Sequence, residues 1–249
     1  MVDIPRTKKF ARGAKRSPLG KLLAAPKFHP FGGPPPQAAT VPGQLSVWGN
    51  DTYGNCVTAE EAFAKACDQP EDFIGDQVVI AWAQAHGYLN GADLVSVLQS
   101  MASDGFVVGA QRYNDGMAAT VDYSNEAILQ AAIAMGPVKI AIDANALPSG
   151  AGTQQGWYAF DGGNYGNTDH CVSLCGYGPT SFLFSALGLP VPPGVDPNKP
   201  AYLLFTWGTI GLVDHAWLMG TCVEAWIRNP TTVFDPPRPT PPTPPTPPT

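Results

Sequence analysis

Charge is scarce in this chain: Asp, Glu, Lys and Arg make up 14% of its 249 residues, while hydrophobic residues make up 44%. That balance excludes wholesale disorder and predicts a packed core. No run approaches the roughly 18 consecutive apolar residues of a membrane span, so no transmembrane helix is expected. The N-terminus is polar and basic, with no apolar stretch ahead of a small-residue cleavage site. A signal peptide is therefore not recognisable, and the expected location is cytoplasmic or virion-associated. Cysteine is sparse and odd in number, five in all, which argues against a disulfide framework and for free thiols. Histidine is scarcer still: His29, His86, His170 and His215 are the whole supply of imidazole bases.

What charge there is lies unevenly. Arg6, Lys8, Lys9, Arg12, Lys15, Arg16, Lys21 and Lys27 fall in the first 27 residues against Asp3 alone, a net +7. The other 222 residues hold six basic and 19 acidic groups, a net −13. An acidic body is unsuited to nucleic-acid binding as a whole, whereas residues 1–27 suit an acidic protein surface or a polyanion.

Composition divides the chain into a basic, Pro/Gly-rich arm (1–37), a body (38–232) and a Pro/Thr-rich tail (233–249) of polyproline-II character. The first half of the body reads as helix, over 59–66, 77–84, 94–102 and 125–135. The last of these starts on the Asn125 cap and stops at Gly136-Pro137. After it come short β-prone runs at 138–142, 171–175 and 202–205, and a Gly/Pro-rich loop is expected over 176–200. Helices first and strands later, with no βαβ alternation, predict an α+β fold with a helical lobe and an antiparallel sheet lobe.

Two places can carry chemistry. Cys56 precedes the first helix, where unpaired N–H groups favour a thiolate, although Thr58-x-x-Glu61 also fits a capping box that would start the helix two residues later. Asp169-His170 opens a β-prone run far downstream. A cysteine and a histidine distant in sequence and joined in space are what a nucleophile and its base require. Cys171 and Cys175 lack a second paired cluster, so neither a zinc site nor any other metal or cofactor is expected.

At these residues the chain resembles the papain-like cysteine peptidases. Asn50-Asp-Thr-Tyr-Gly-Asn-Cys56-Val occupies the frame of the family's Gln-x-x-Cys-Gly-Ser-Cys-Trp. Gly87-Tyr-Leu-Asn-Gly91 is similar to its cleft-lining Asn-Gly-Gly segment, and residues 132–144 to its helix, Gly-Pro and strand. Asp169-His170 with Gly176-Tyr-Gly178 matches its histidine strand, and residues 202–208 its Asn-Ser-Trp-Gly stretch. The resemblance implies the two-lobed papain-like fold, Cys56 as nucleophile, His170 as base and Asn50 as oxyanion donor. It also implies a cleft lined by Asn90, Gly91 and Asp169, and a peptide or protein substrate. Phe205 falls where the family's Asn orients the imidazole, with Trp207 beside it as the retained shielding tryptophan. Val57 replaces the Trp after the nucleophile, and Tyr53 stands where a disulfide cysteine usually is. Papain-like zymogens carry a prodomain that blocks the cleft, and 37 residues are too few to fold into such a unit.

Two functions are therefore expected: a cysteine peptidase or related acyl-transfer hydrolase with an altered third member, or an inactive papain-fold component of a large assembly such as a phage virion. In the second, the basic arm and the Pro/Thr tail would be the attachment elements.

Overall fold

A computed structural model of the protein describes residues 10–68, 71–160 and 162–229, together with a two-residue strand at 233–234. The first part of the chain contributes β1 (Ala14–Lys15), α1 (Leu19–Ala24), β2 (Lys27–Phe28) and β3 (Ala38–Ala39). The helical lobe follows with α2 (Cys56–Ala66), α3 (Asp76–Ala85), β4 (Ala92–Asp93), α4 (Leu94–Ser103), β5 (Phe106–Val108) and β6 (Gln111–Tyr113). The sheet lobe comprises β7 (Ala118–Thr120), α5 (Glu126–Met135), β8 (Val138–Ile142), β9 (Tyr158–Ala159) and β10 (His170–Pro179). It continues through α6 (Thr180–Ala186), β11 (Pro200–Thr206), β12 (Thr209–Val213), α7 (His215–Thr221), β13 (Cys222–Arg228) and β14 (Val233–Phe234).

The large sheet runs in the order β14-β2-β7-β13-β8-β10-β11-β12-β9, with β3 pairing β10 off this path. Its centre is antiparallel: His170 lies opposite Ile142, and Ser173 opposite Phe205. Strand alternation divides the core. Cys171, Cys175 and Phe205 face a cluster built with α2, α3 and α4, containing Phe63, Leu94 and Met101. Val172, Leu174 and Trp207 belong to a second cluster on the other side, with Leu129 and Ile133 of α5 and Trp217 of α7. The α+β expectation is met, as a helical lobe set against one face of a largely antiparallel sheet.

Local signals explain several boundaries. The Asn125 side chain accepts from the Ala127 and Ile128 N–H groups, the cap expected for α5. The capping box at Thr58 and Glu61 does not form: α2 begins at Cys56, and the Thr58 hydroxyl is buried without a partner among the described residues. The loop expected over 176–200 is shorter than its Gly and Pro content suggests. β10 runs on to Pro179 past a bulge between Leu174 and Gly176, and α6 starts directly behind that proline.

The described part of the arm, residues 10–37, lies on the body. β1 pairs in parallel with β4, β2 pairs with β7 and β14, and the Tyr177 hydroxyl donates to the Pro35 carbonyl at 2.7 Å. Residues 1–9, the end of the arm, and residues 235–249 of the tail fall outside the described residues.

Candidate active site

A tight turn sets up Cys56. Trp48 and Gly49 both take positive φ, the Trp48 indole donates to the Ile74 carbonyl at 2.7 Å, and the Asn55 amide returns to the Trp48 carbonyl at 2.9 Å. The chain then enters α2, a helix with every residue buried, on the sulfur-bearing residue. The backbone N–H groups of Cys171, Gly13 and Ala14 and the Lys139 ammonium lie near the Cys56 thiol and favour its thiolate. Burial outweighs these, and the thiol is pushed up from 9.0 to about 11, so it is protonated at neutral pH.

His170 opens β10 and stacks on Trp207, ring centroids 4.3 Å apart. Its Nε2 meets the Thr206 hydroxyl at 2.7 Å, and its Nδ1 is buried with no hydrogen-bond partner among the described residues. If Nε2 carries the proton and donates to Thr206, Nδ1 presents a lone pair, the tautomer a base requires. Burial first, then the Arg12 guanidinium, lowers the imidazole from 6.5 to about 3. Thiol and imidazole are both neutral, and no hydrogen bond joins them in this closed form.

The expected third member is corrected. Phe205 does not face the imidazole: its ring stacks on Phe63 at 4.0 Å and meets Trp48 edge-on at 5.7 Å. Adjacent strand residues point to opposite faces, so turning Phe205 into the helical-lobe core turns Thr206 toward His170. Trp207 (φ 46°) and Gly208 (φ 76°) then form the two-residue hairpin turn between β11 and β12, which places the indole over the imidazole. Thr206 was missed because it sits one residue from the motif frame. The alternation of β11 is the signal that would have found it, once its register on β10 was known.

The other expected residues gather in one place, and the arm lies among them. Asn50 is buried, and its Nδ2 donates to the Tyr53 carbonyl at 2.9 Å and to the arm's Ala11 carbonyl at 3.2 Å. Asp169 binds Arg12 through its carboxylate at 2.8 Å, and its carbonyl accepts from the Ala14 N–H at 3.0 Å. Gly91 abuts Gly13, and the Ala92 N–H donates to the Gly13 carbonyl at 2.9 Å. Asn90 flanks Gly54, and the Val57 carbonyl accepts from Lys139 at 2.9 Å. At the arm's outer end Phe10 stacks on Trp207 at 5.0 Å, and the Trp207 indole donates to the Ala11 carbonyl at 3.3 Å. At its inner end the Ser17 N–H donates to Glu224 at 2.9 Å. Residues 10–17 thus fill the cleft in extended form, and Cys56 and His170 are each left 1% exposed.

Beneath the site, α2 is pinned by buried charges. Glu60 and Glu61 meet Lys139 of β8 and Arg228 of β13; Arg228 Nε reaches Glu61 at 2.7 Å, and Asp115 bridges Arg228 and Lys65. Three cations face three carboxylates, so the cluster is balanced and each charge is paired. Lys139 also holds the first turn of α2 through the Val57 carbonyl, which fixes where the thiol stands over the sheet. All five cysteines are free and buried.

No protein-family model matches the sequence, and no curated protein does. Solved structures do. Xylellain, a cysteine protease from Xylella fastidiosa, matches over 92% of this chain and 99% of its own, with a TM-score of 0.60 at 14% identity. The Amb a 11 cysteine protease of ragweed pollen, in its proform, matches over 82% of this chain and 70% of its own, with a TM-score of 0.57 at 14% identity. The Carica candamarcensis cysteine protease CMS1MS2, in complex with E-64, matches over 78% of this chain and 98% of its own, with a TM-score of 0.53 at 15% identity. At these identities the likeness concerns the backbone. The chain has the papain-like fold, as a divergent example of it.

Proposed function

We propose that the protein is a papain-like cysteine hydrolase acting on peptide or protein substrates, and that it is closed in this form by its own residues 10–17. The observation that carries the reading is His170: a buried imidazole with Nε2 held by Thr206, Trp207 across its face and Nδ1 without a partner among the described residues. His215 Nδ1 is likewise buried without a partner among the described residues, so the setting of His170 is what suits it to act as a general base: it precedes Cys171, whose N–H lies by the Cys56 thiol. Cys56 supplies the nucleophile from the start of α2.

Once the arm leaves, water reaches the site and relieves the burial, the largest effect holding the imidazole pKa down and the thiol pKa up. The thiol proton passes to Nδ1, the thiolate attacks the substrate carbonyl, and the Asn50 amide and the Cys56 N–H receive the developing oxyanion. Imidazolium then protonates the leaving group, and water hydrolyses the acyl-enzyme. The test is labelling by an epoxide or iodoacetamide reagent after the arm has been displaced, with Cys56→Ala and His170→Ala as controls. Selective labelling of Cys56 that falls in His170→Ala supports the reading; labelling no faster than that of Cys67 or Cys222 ends it.

The second reading, an inactive papain-fold component of an assembly, is favoured by the integration of the arm: β1 and β2 are strands of the fold. In that reading the attachment elements would be the remaining basic residues of 1–27, toward an acidic surface or polyanion, and the Pro/Thr tail. Salt-sensitive association without thiol turnover would select it.

A further inference from the structure

Where the arm crosses the turn ahead of Cys56, three glycines meet backbone to backbone. A Cβ on Gly13 would fall on the Gly54 carbonyl, and one on Gly91 would fall on the Gly13 carbonyl. A Cβ on Gly54 would stand 2.9 Å from the Arg12 carbonyl oxygen. The atoms met are main chain, which cannot swing aside as a side-chain tip can. Gly91 has a second reason to be glycine, its φ of +99°. Gly13 has none, because its φ lies outside the left-handed region; lack of room alone excludes a side chain there.

The flanking contacts are of a different kind. Arg12 reaches Asp169 at 2.8 Å and Asn145 at 2.9 Å, with both partners of the ion pair about a third exposed. The Gly13 carbonyl and the Ala14 N–H are bound by main-chain groups of Ala92 and Asp169, which read an extended backbone and no side chain. Only two positions of the segment are therefore read by identity near the thiol: a residue without Cβ, and a cation before it.

We propose that the cleft beside Cys56 is a glycine slot, selecting extended segments that carry glycine where Gly54 and Gly91 close on the chain and an arginine or lysine immediately before it, facing Asp169. Residues 10–17 are the segment that fits it in cis. The proposal rests on the cysteine-hydrolase reading in calling such segments the substrate class; the selectivity itself belongs to the walls.

The test uses the full chain with Gly13→Ala, and Gly20→Ala as control, since nothing lies within 4 Å of a Cβ at Gly20. Two readouts need no catalysis: tryptic cleavage at Arg12 and Lys15, and iodoacetamide labelling of Cys56 followed by mass spectrometry. Both should rise about tenfold or more in Gly13→Ala and stay at the wild-type rate in the control. The peptide Phe-Ala-Arg-Gly-Ala-Lys-Arg-Ser, added to the Gly13→Ala protein, should restore protection of Cys56. Versions with alanine for glycine, or glutamate for the first arginine, should not. If Gly13→Ala loses its near-ultraviolet circular dichroism, Arg12→Glu lifts the arm instead and takes the same peptides. An arm cleaved no faster in Gly13→Ala, or equal protection by the glycine and alanine peptides, overturns the slot. Protection by the glycine peptide with no turnover of any peptide keeps the slot and ends the hydrolase reading. Turnover with no preference for glycine does the reverse.

Discussion

The Thr206 hydroxyl meets His170 Nε2 at 2.7 Å, one residue along β11 from the place where a papain-like frame puts the group that orients the imidazole. A hydroxyl can accept the ring N–H as a carboxamide oxygen does, so Phe205 is no vacancy in the site. Thr206→Val, nearly the same volume, should cost about 1–3 kcal/mol by stranding a buried ring nitrogen, read as a shift in the urea midpoint. It should also slow Cys56 labelling in the arm-displaced protein. Thr206→Ser should restore both.

Phe205→Asn is expected to harm the protein. The amide would replace a ring stacked on Phe63 and Trp48, so a loss of about 3 kcal/mol or more is expected, with no gain in turnover. A rise in activity at unchanged stability would return Phe205 to the site.

The buried charges under α2 should be unforgiving. Lys139→Met leaves Glu60 and Glu61 short of a partner and frees the Val57 carbonyl, with an expected loss of about 3–5 kcal/mol by chemical denaturation. Glu61 is held down to about 2 chiefly by Arg228 and Lys139 against the opposing effect of burial, so its contribution is present above about 4.5 and is lost as pH falls toward 2.

The seated arm should loosen in acid. His170 is lowered to about 3 in the closed form, so between that value and 6.5 the open form binds a proton that the closed form refuses. The stability of the closed form is thus full above about 6.5 and falls with pH below it. Arg12 faces the imidazole as a cation, and its removal to solvent acts in the same direction. A pyridyl disulfide reagent, which reacts in acid, should label Cys56 faster at pH 5 than at pH 7.5, and His170→Gln should flatten that dependence. An unchanged ratio in the variant would remove His170 from the effect.

The sequence by itself determined the class of fold and nominated the residues of the candidate site. The Asn125 cap, the apolar spacing of the helices and the β-prone runs after Gly136 are local signals, and local propensity and burial agreed with them. Cys56, His170, Asn50, Asn90, Gly91 and Asp169 could be named because their neighbours along the chain carry the motif. Tertiary structure alone decided which residue faces the imidazole, since a strand shows opposite faces at successive residues and only its register with β10 says which face is which. It alone decided that residues 10–17 lie beside Cys56 and His170: their basic sequence reads as an arm for an acidic surface or polyanion, and Gly13 acquires its meaning from Gly54 and Gly91, which are distant in the chain. It also decided that Glu60, Glu61, Lys65, Lys139 and Arg228 are buried, because six opposed charges can leave water only when the fold brings them, with Asp115, to one another.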